Sequence, residues 1–343
     1  MIKQYIKEAF ILKSKGYYKH AIEALYKALE IDNTSPELLL EIAELYYLMG
    51  KEERALSYIK QVLDANPAHI GSLKLLKTIF LNKGALEEAE QTAKNIYCIS
   101  KETEDIVEIF SILNKEKKYN EIFEYKTDDC SPEILYQKAN AKFFLNDMES
   151  AEKLVNQALE SEKNNKFLLL KGEILLRTNR DDECEKIFEQ IEINGDDSKV
   201  LNFAGIVKQR AGEYSKALEY FKNAIKLEPQ NDEYYYNCAS TYFKMNNLHA
   251  AKKYYNLAIS LSPENPSYHF ALANLYYAEK HYKRALEELD NNLYESRLLK
   301  SIILYDTGYL ALARKELFEL EKICPNDNIV KDYIAKIKNE LEI

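Results

Sequence analysis

Residues 198–231 read SKVLNFAGIVKQRAGEYSKALEYFKNAIKLEPQN. Apolar residues return every three to four positions on both sides of Ala211-Gly212, the spacing that gives a helix one apolar stripe. The pattern predicts helices over 200–210 and 214–227 with a turn between them. Small residues stand at Gly205, Ala217 and Ala224, where two helices must come close. Leu201, Tyr214, Leu218 and Phe221 are large enough to fill the spaces beside them. Pro229 ends the second helix, because it lacks the backbone N–H that would continue it.

The same phrase recurs along the chain. Taking the small residue early in each second helix as a marker gives Ala21, Ala55, Ala89, Ile122, Ala151, Cys184, Ala217, Ala251, Ala285 and Ala313. The intervals are 34, 34, 33, 29, 33, 33, 34, 34 and 28 residues. Gly16, Gly50, Gly84, Asn146, Asn179, Gly212, Asn246 and Gly308 mark the turns between helices, and both residue types tolerate left-handed backbone angles. Prolines follow the marker by twelve residues at Pro67, Pro229, Pro263 and Pro325. Only 9 glycines and 7 prolines occur in 343 residues, which argues for long helices over a turn-rich β fold.

A helix–turn–helix period near 34 with this alternation of small and large residues resembles the tetratricopeptide repeat family. Ala43, Tyr46, Ala55 and Pro67 match the family's small, aromatic, alanine and proline slots. Ala239, Tyr242, Ala251 and Pro263 do so again, and Ala273, Tyr276 and Ala285 follow suit. The tryptophan that often opens the family motif is absent, replaced by Leu39, Leu73, Leu135, Leu168, Leu201, Tyr235 and His269. The resemblance covers almost the whole chain, about ten units. It implies an all-α fold, a right-handed superhelical solenoid of antiparallel helix pairs.

Two units depart from the period. The fourth, within 102–130, leaves only residues 120–126 for a second helix before Thr127-Asp128-Asp129. The join between Ala285 and Ala313 is six residues short of the usual spacing. Each repeat of a stack touches only its neighbours, so a short unit is expected to change the superhelical path, here near residues 115–131. The expected organisation is three repeats over 1–101, a degenerate fourth over 102–130, repeats five to ten over 131–325, and a capping helix within 326–343. Ile329, Val330, Tyr333, Ile334 and Ile337 are expected on the apolar face of that cap.

The bulk chemistry narrows the function. The formal charge is −9, from 56 acidic and 47 basic residues, whereas phosphate binding needs clustered basic surface. Nucleic acid is therefore not an expected partner, and Lys3, Lys7, Lys13, Lys15 and Lys19 read as a solvated helix face. The five cysteines form no CxxC pair and are odd in number, so neither a zinc site nor a disulfide framework is expected. No apolar run approaches the ~20 residues of a membrane span, and 1–15 reads as an amphipathic helix and not a signal peptide. A soluble, cytoplasmic protein is the expectation.

Five scattered histidines and the absence of HExxH, P-loop, GxSxG or GxGxxG sequences leave an active site unsupported. No catalytic residue, cofactor or metal is expected. His269 reads as packed or hydrogen-bonded, Cys184 and Cys238 as small packing residues, and Asp128-Asp129 and Asp181-Asp182 as solvated turns.

Binding is better supported. In the family that this chain resembles, the first helices line a concave groove for extended peptides. Carried over, the groove slots hold Tyr136, Asn140 and Phe143, then Asn202, Ile206 and Gln209. Tyr236, Asn237 and Phe243 follow, then Phe270, Asn274 and Tyr277. Asparagine donates and accepts, which suits the backbone of an extended peptide, and aromatics supply rigid contact area. The lysine and asparagine set of a chaperone-tail clamp is missing, and Glu37, Glu41 and Glu44 occupy the equivalent face of the second unit.

The expected function is thus a non-enzymatic scaffold or adaptor that holds a peptide segment or partner domain. The alternative is a peptide-sensing regulator that sequesters a partner. With repeats beginning within a few residues of Met1, no separate effector module is expected ahead of them.

Overall fold

The computed structural model describes residues 1–125, 130–193 and 195–340. Among the described residues there are twenty α-helices, one 3-10 turn and no strand. The chain divides into two compact units, Met1–Ile174 and Leu175–Ile343.

The first unit runs through antiparallel pairs: α1 (Ile2–Ser14) with α2 (Tyr18–Leu29), α3 (Pro36–Leu48) with α4 (Glu52–Ala65), and α5 (Ile70–Lys83) with α6 (Leu86–Ser100). Then come α7 (Thr103–Lys115), a 3-10 turn at Glu121–Phe123, α8 (Pro132–Phe144) with α9 (Met148–Ser161), and α10 (Asn165–Arg177), in which the division falls. The second unit holds α11 (Asp181–Phe188), α12 (Ser198–Arg210) with α13 (Tyr214–Leu227), and α14 (Asp232–Lys244) with α15 (Leu248–Leu261). It continues through α16 (Pro266–Ala278) with α17 (Tyr282–Glu288), α18 (Tyr294–Asp306) with α19 (Leu310–Ile323), and α20 (Asn328–Glu340).

The marker positions explain the pairing. All ten, from Ala21 to Ala313, are no more than 1% exposed. Small side chains there let the two helices of a pair approach, and at Gly205 of α12 the approach is especially close. A Cβ added to it would come within 2.4 Å of the Phe221 ring, which is itself fully buried. Each turn then needs one left-handed residue, and it always lies five positions before the marker. All eight turn residues named from the sequence have φ between 56° and 83°. Lys117 (φ 62°) and Lys280 (φ 60°) take the same place in the two irregular units, where neither glycine nor asparagine signals it. Helices α4, α13, α15 and α19 each stop two residues before their proline.

The fourth pair is reduced as its length requires. Its second helix is only the 3-10 turn at Glu121–Phe123, with Ile122 buried against α7 and α8. Thr127, Asp128 and Asp129 lie outside the described residues. The short join before Ala313 appears as a seven-residue α17. A similarly clipped α11, of eight residues, has no warning in the marker spacing.

Two local expectations are corrected. Asp181 and Asp182 open α11 and do not stand in a turn. Acidic side chains in a first turn complement the partial positive charge of the helix N-terminus, and Arg210 Nη1 lies 2.6 Å from Asp181 Oδ1. In α20 the buried stripe is Val330, Ile334 and Ile337, with Tyr333 half-buried, but Ile329 is 51% exposed. The stripe that meets α19 is spaced at four and three residues, and Ile329 lies one residue off it, about 100° around the helix.

Cys184 and Cys238 are buried, and burial pushes their thiols up to about 11 and about 12. His269 is half-buried and bonded through both ring nitrogens, Nδ1 to Glu288 Oε2 at 2.7 Å and Nε2 to the Pro263 carbonyl at 2.9 Å.

Candidate peptide-binding face

The first helices of successive pairs lie side by side, so a residue on one meets its equivalent roughly one repeat later. In the first unit this contact is largely ionic. Lys13 Nζ of α1 reaches Glu41 at 3.0 Å and Glu44 at 2.7 Å on α3. The acidic face expected of the second repeat is therefore already partly neutralised from within the chain. Lys77 of α5, its side chain almost wholly buried, contacts Glu108 of α7. Burial lowers the Lys77 pKa, against the pull of Asp105.

The predicted residues of α8 adjoin this ladder. Tyr136 stacks on Phe167 of α10 with ring centres 5.4 Å apart, and the Lys166 ammonium lies 4.3 Å over its ring. Burial pushes the Tyr136 hydroxyl up to about 12. Asn140 and Phe143 are half-buried on the same helix, and among the described residues nothing hydrogen-bonds the Asn140 amide. Gln137, not selected from the sequence, is the residue that joins neighbouring helices: Asn114 Nδ2 donates to its Oε1 at 2.8 Å, and its own Nε2 donates to Glu133 at 2.9 Å.

In the second unit the ladder is built mainly on amides and hydroxyls, with Glu233 and Lys244 as charged partners. Asn202 of α12 is only 8% exposed. Its Nδ2 donates to Glu233 Oε1 at 3.2 Å, and its Oδ1 accepts from Asn237 Nδ2 of α14 at 2.8 Å. Gln209 Nε2 donates to Thr241 Oγ1 at 2.7 Å, while Lys244 Nζ donates to Gln209 Oε1 at 2.9 Å. Three of the predicted groove amides thus tie one repeat to the next. Ile206 packs beside them on the cluster of Ala217, Leu218 and Phe221.

The remaining predicted residues come together between α14 and α16. Tyr236, Phe243, Phe270, Asn274 and Tyr277 line one open cleft of about 350 Å³, with Tyr255 of α15 and two alanines. Asn274 Nδ2 donates to the Phe270 carbonyl at 3.0 Å, and among the described residues no hydrogen bond engages its oxygen. Tyr236 stacks on Tyr268 at 5.1 Å, and Tyr268 donates to Asp232 at 2.9 Å. Tyr277 donates to Asp306 Oδ2 of α18 at 2.7 Å.

Sequence reasoning missed Glu233, Thr241, Lys244, Tyr255 and Asp306. Thr241 and Lys244 stand four and seven residues after Asn237, on the same helix face, a spacing that could have found them. Tyr255 belongs to a second helix, and no periodicity links it to the cleft. Among the described residues no group of three or more His, Cys, Asp or Glu could hold a metal, and no helix is long and apolar enough to cross a membrane.

Comparison with known proteins agrees with this architecture. One family model of the tetratricopeptide repeat matches residues 14–75 and 209–275, and a second matches residues 136–198. A tetratricopeptide-repeat-containing protein of Methanocaldococcus jannaschii is 27% identical over 243 residues, covering 68% of this chain and 39% of that protein. The photosystem I assembly protein Ycf3 of a Synechococcus strain is 30% identical over 89 residues, covering 25% of this chain and 51% of its own length. The chain therefore spans about half or less of the curated relatives it matches.

Among solved structures, the APC/C hetero-tetramer Cut9–Hcn1 aligns with a TM-score of 0.63 at 11% identity, covering 98% of this chain and 76% of that one. A tetratricopeptide repeat protein of Parabacteroides merdae aligns with a TM-score of 0.52 at 15% identity, covering 78% and 98%. Those likenesses concern the fold alone. With the ten buried markers, the left-handed turn before each and the family matches, the chain belongs to the tetratricopeptide repeat family.

Proposed function

We propose that the protein is a binding scaffold that holds an extended segment of a partner protein against its first helices, with the α14–α16 cleft as the principal contact. Proteins of this repeat family generally mediate protein–protein interactions, and the photosystem I assembly protein among the relatives is named for an assembly role. The observation that carries the reading is the cleft itself. Aromatic rings on two neighbouring first helices stay half-buried and open to solvent beside an asparagine oxygen that no group among the described residues engages. Such a surface offers rigid apolar area together with an acceptor for a peptide N–H.

The amides of Asn202 and Asn237 contribute differently. They bond each other, so they tie α14, one wall of the cleft, to α12 behind it. Replacing them would mix a binding loss with a loosened stack, and a direct test belongs on Phe270 and Asn274. Peptides selected from a random displayed library on the whole protein are expected to lose binding to the Phe270→Ala/Asn274→Ala double variant, with helicity retained. Selected peptides that bind this variant as well as the parent would refute the cleft as the contact.

A further inference from the structure

Among the described residues, several aromatic faces of the second unit are covered by the chain's own cations. Lys208 lies 5.4 Å over Phe188, Lys222 5.5 Å over Tyr242, and Lys252 4.6 Å over Tyr276. Arg314 lies 5.4 Å over Phe318, and Lys336 4.6 Å over Tyr333. Tyr236, Phe243, Tyr255, Phe270 and Tyr277 are among the uncovered rings, and their grouping in one place sets them apart. They converge on one cleft, and among the described residues no cation of the chain lies over any of their rings. None of the cleft's lining residues is charged. The nearest lysine in sequence, Lys244, turns its ammonium to Gln209 on the preceding first helix.

The carboxylates beside the cleft have the matching sign. Asp306 is exposed and accepts the hydroxyl of Tyr277, and Asp232 accepts that of Tyr268, the ring stacked behind Tyr236. Burial, then the bond to Asp306, raises the Tyr277 pKa, so this phenol keeps its proton and donates at every physiological pH. A phenol that donates to a carboxylate gains electron density in its ring, which strengthens the negative face that attracts a cation. Convergent rings with an acid at the rim recognise ammonium and guanidinium groups.

We infer that the cleft takes an arginine or lysine side chain of the bound segment, seated between the rings of α14 and α16 with Asp306 at its charged end. This rests on the binding reading above and names its partner: a basic extended peptide. The volume of about 350 Å³ suits one long side chain and a few atoms of its backbone, at the small end of the roughly 300–1,000 Å³ typical of ligand pockets.

Selection of a random displayed peptide library on the whole protein tests it, followed by fluorescence anisotropy with the selected sequences as synthetic peptides. Arginine or lysine is expected at one fixed position. Its replacement in the peptide by citrulline or norleucine should weaken binding roughly 30-fold, the size of one desolvated cation–π contact. Asp306→Asn and Tyr277→Phe should each cost a smaller factor, and Phe270→Leu, which keeps apolar volume but removes a ring, a larger one. Circular dichroism establishes that each variant is folded, and the peptide substitutions need no change to the protein.

Selected peptides without a basic residue that still lose binding to Phe270→Leu would overturn this inference and leave the cleft reading intact. Peptides indifferent to Phe270→Leu, or no selection at all, would overturn both.

Discussion

The two compact units build the same helix pairs but join them with different chemistry. In the first, lysines and glutamates on neighbouring first helices pair across the repeat, as Lys13 does with Glu41 and Glu44 and Lys77 with Glu108. In the second, Asn202, Asn237, Gln209 and Thr241 carry most of the link with Glu233 and Lys244 as charged partners, whereas in the first the amide pair Asn114–Gln137 stands beside the ionic ones. The repeat sets only the spacing between first helices. What crosses that spacing is free to differ, and it decides how each unit responds to salt and what surface it leaves for a partner. In the second unit the ladder leaves aromatic faces and the Asn274 oxygen open side by side in one cleft.

The largest expected effect breaks the packing on which the second unit depends. Phe221→Ala should destabilise it by about 3–5 kcal/mol, because the ring is wholly buried against Gly205 and leaves a cavity. Urea denaturation followed by circular dichroism measures it, and a loss under about 1 kcal/mol would mean that the pair can collapse around the gap.

The ladders themselves come next. Asn202→Ala removes two hydrogen bonds and leaves Asn237 and Glu233 without their partner, a cost of roughly 1–3 kcal/mol. Lys13→Ala should cost only about 0–1 kcal/mol, since its pairs are partly exposed. Raising salt to about 1 M, where the Debye length is about 3 Å, should shrink the Lys13 effect and leave that of Asn202 unchanged. Equal salt sensitivity of the two variants would erase the distinction drawn between the units.

A smaller effect concerns pH. Burial works against charge on His269, but its bonds to Glu288 and the Pro263 carbonyl outweigh that and raise its pKa. A histidine with a raised folded pKa stabilises fully below its unfolded value of about 6.5, and the contribution fades as pH rises through the folded one. Stability measured from below pH 6 to above pH 8 should therefore carry a downward component that His269→Gln removes. A variant with the same slope as the parent would show that the charged form gains nothing from Glu288.

The smallest expected signal lies at the degenerate fourth pair. One 3-10 turn replaces a helix there, so amides near Glu121–Phe123 should exchange hydrogen faster than those of α2 or α4. Protection equal to that of the full pairs would mean that Ile122 alone holds the turn closed.

Much of the fold was legible in the sequence because repetition makes the signal redundant. One alanine at 34-residue spacing proves little, but ten marker positions in register, each preceded by a turn residue, define helix pairs. Lys117 and Lys280 show why the register outweighs the residue, since tertiary packing imposes a left-handed turn on a lysine that would not choose it. The clipped α11 was not legible, because marker spacing counts residues between helices and not how many of them are helical.

The candidate site was legible by face and not by partner. Periodicity places Asn202, Asn237 and Asn274 on equivalent faces, and all three could have been free. The structure joins the first two across 35 residues and leaves the third with an open oxygen, because a side chain's hydrogen bonds depend on distances that helical phase alone does not give. Sequence by itself determined the repeat, its turns and the faces that its helices present. Only the tertiary structure decided which polar groups those faces use on each other and which aromatic rings remain uncovered. Local pattern fixes the direction of each side chain, whereas burial and pairing arise when neighbouring repeats meet.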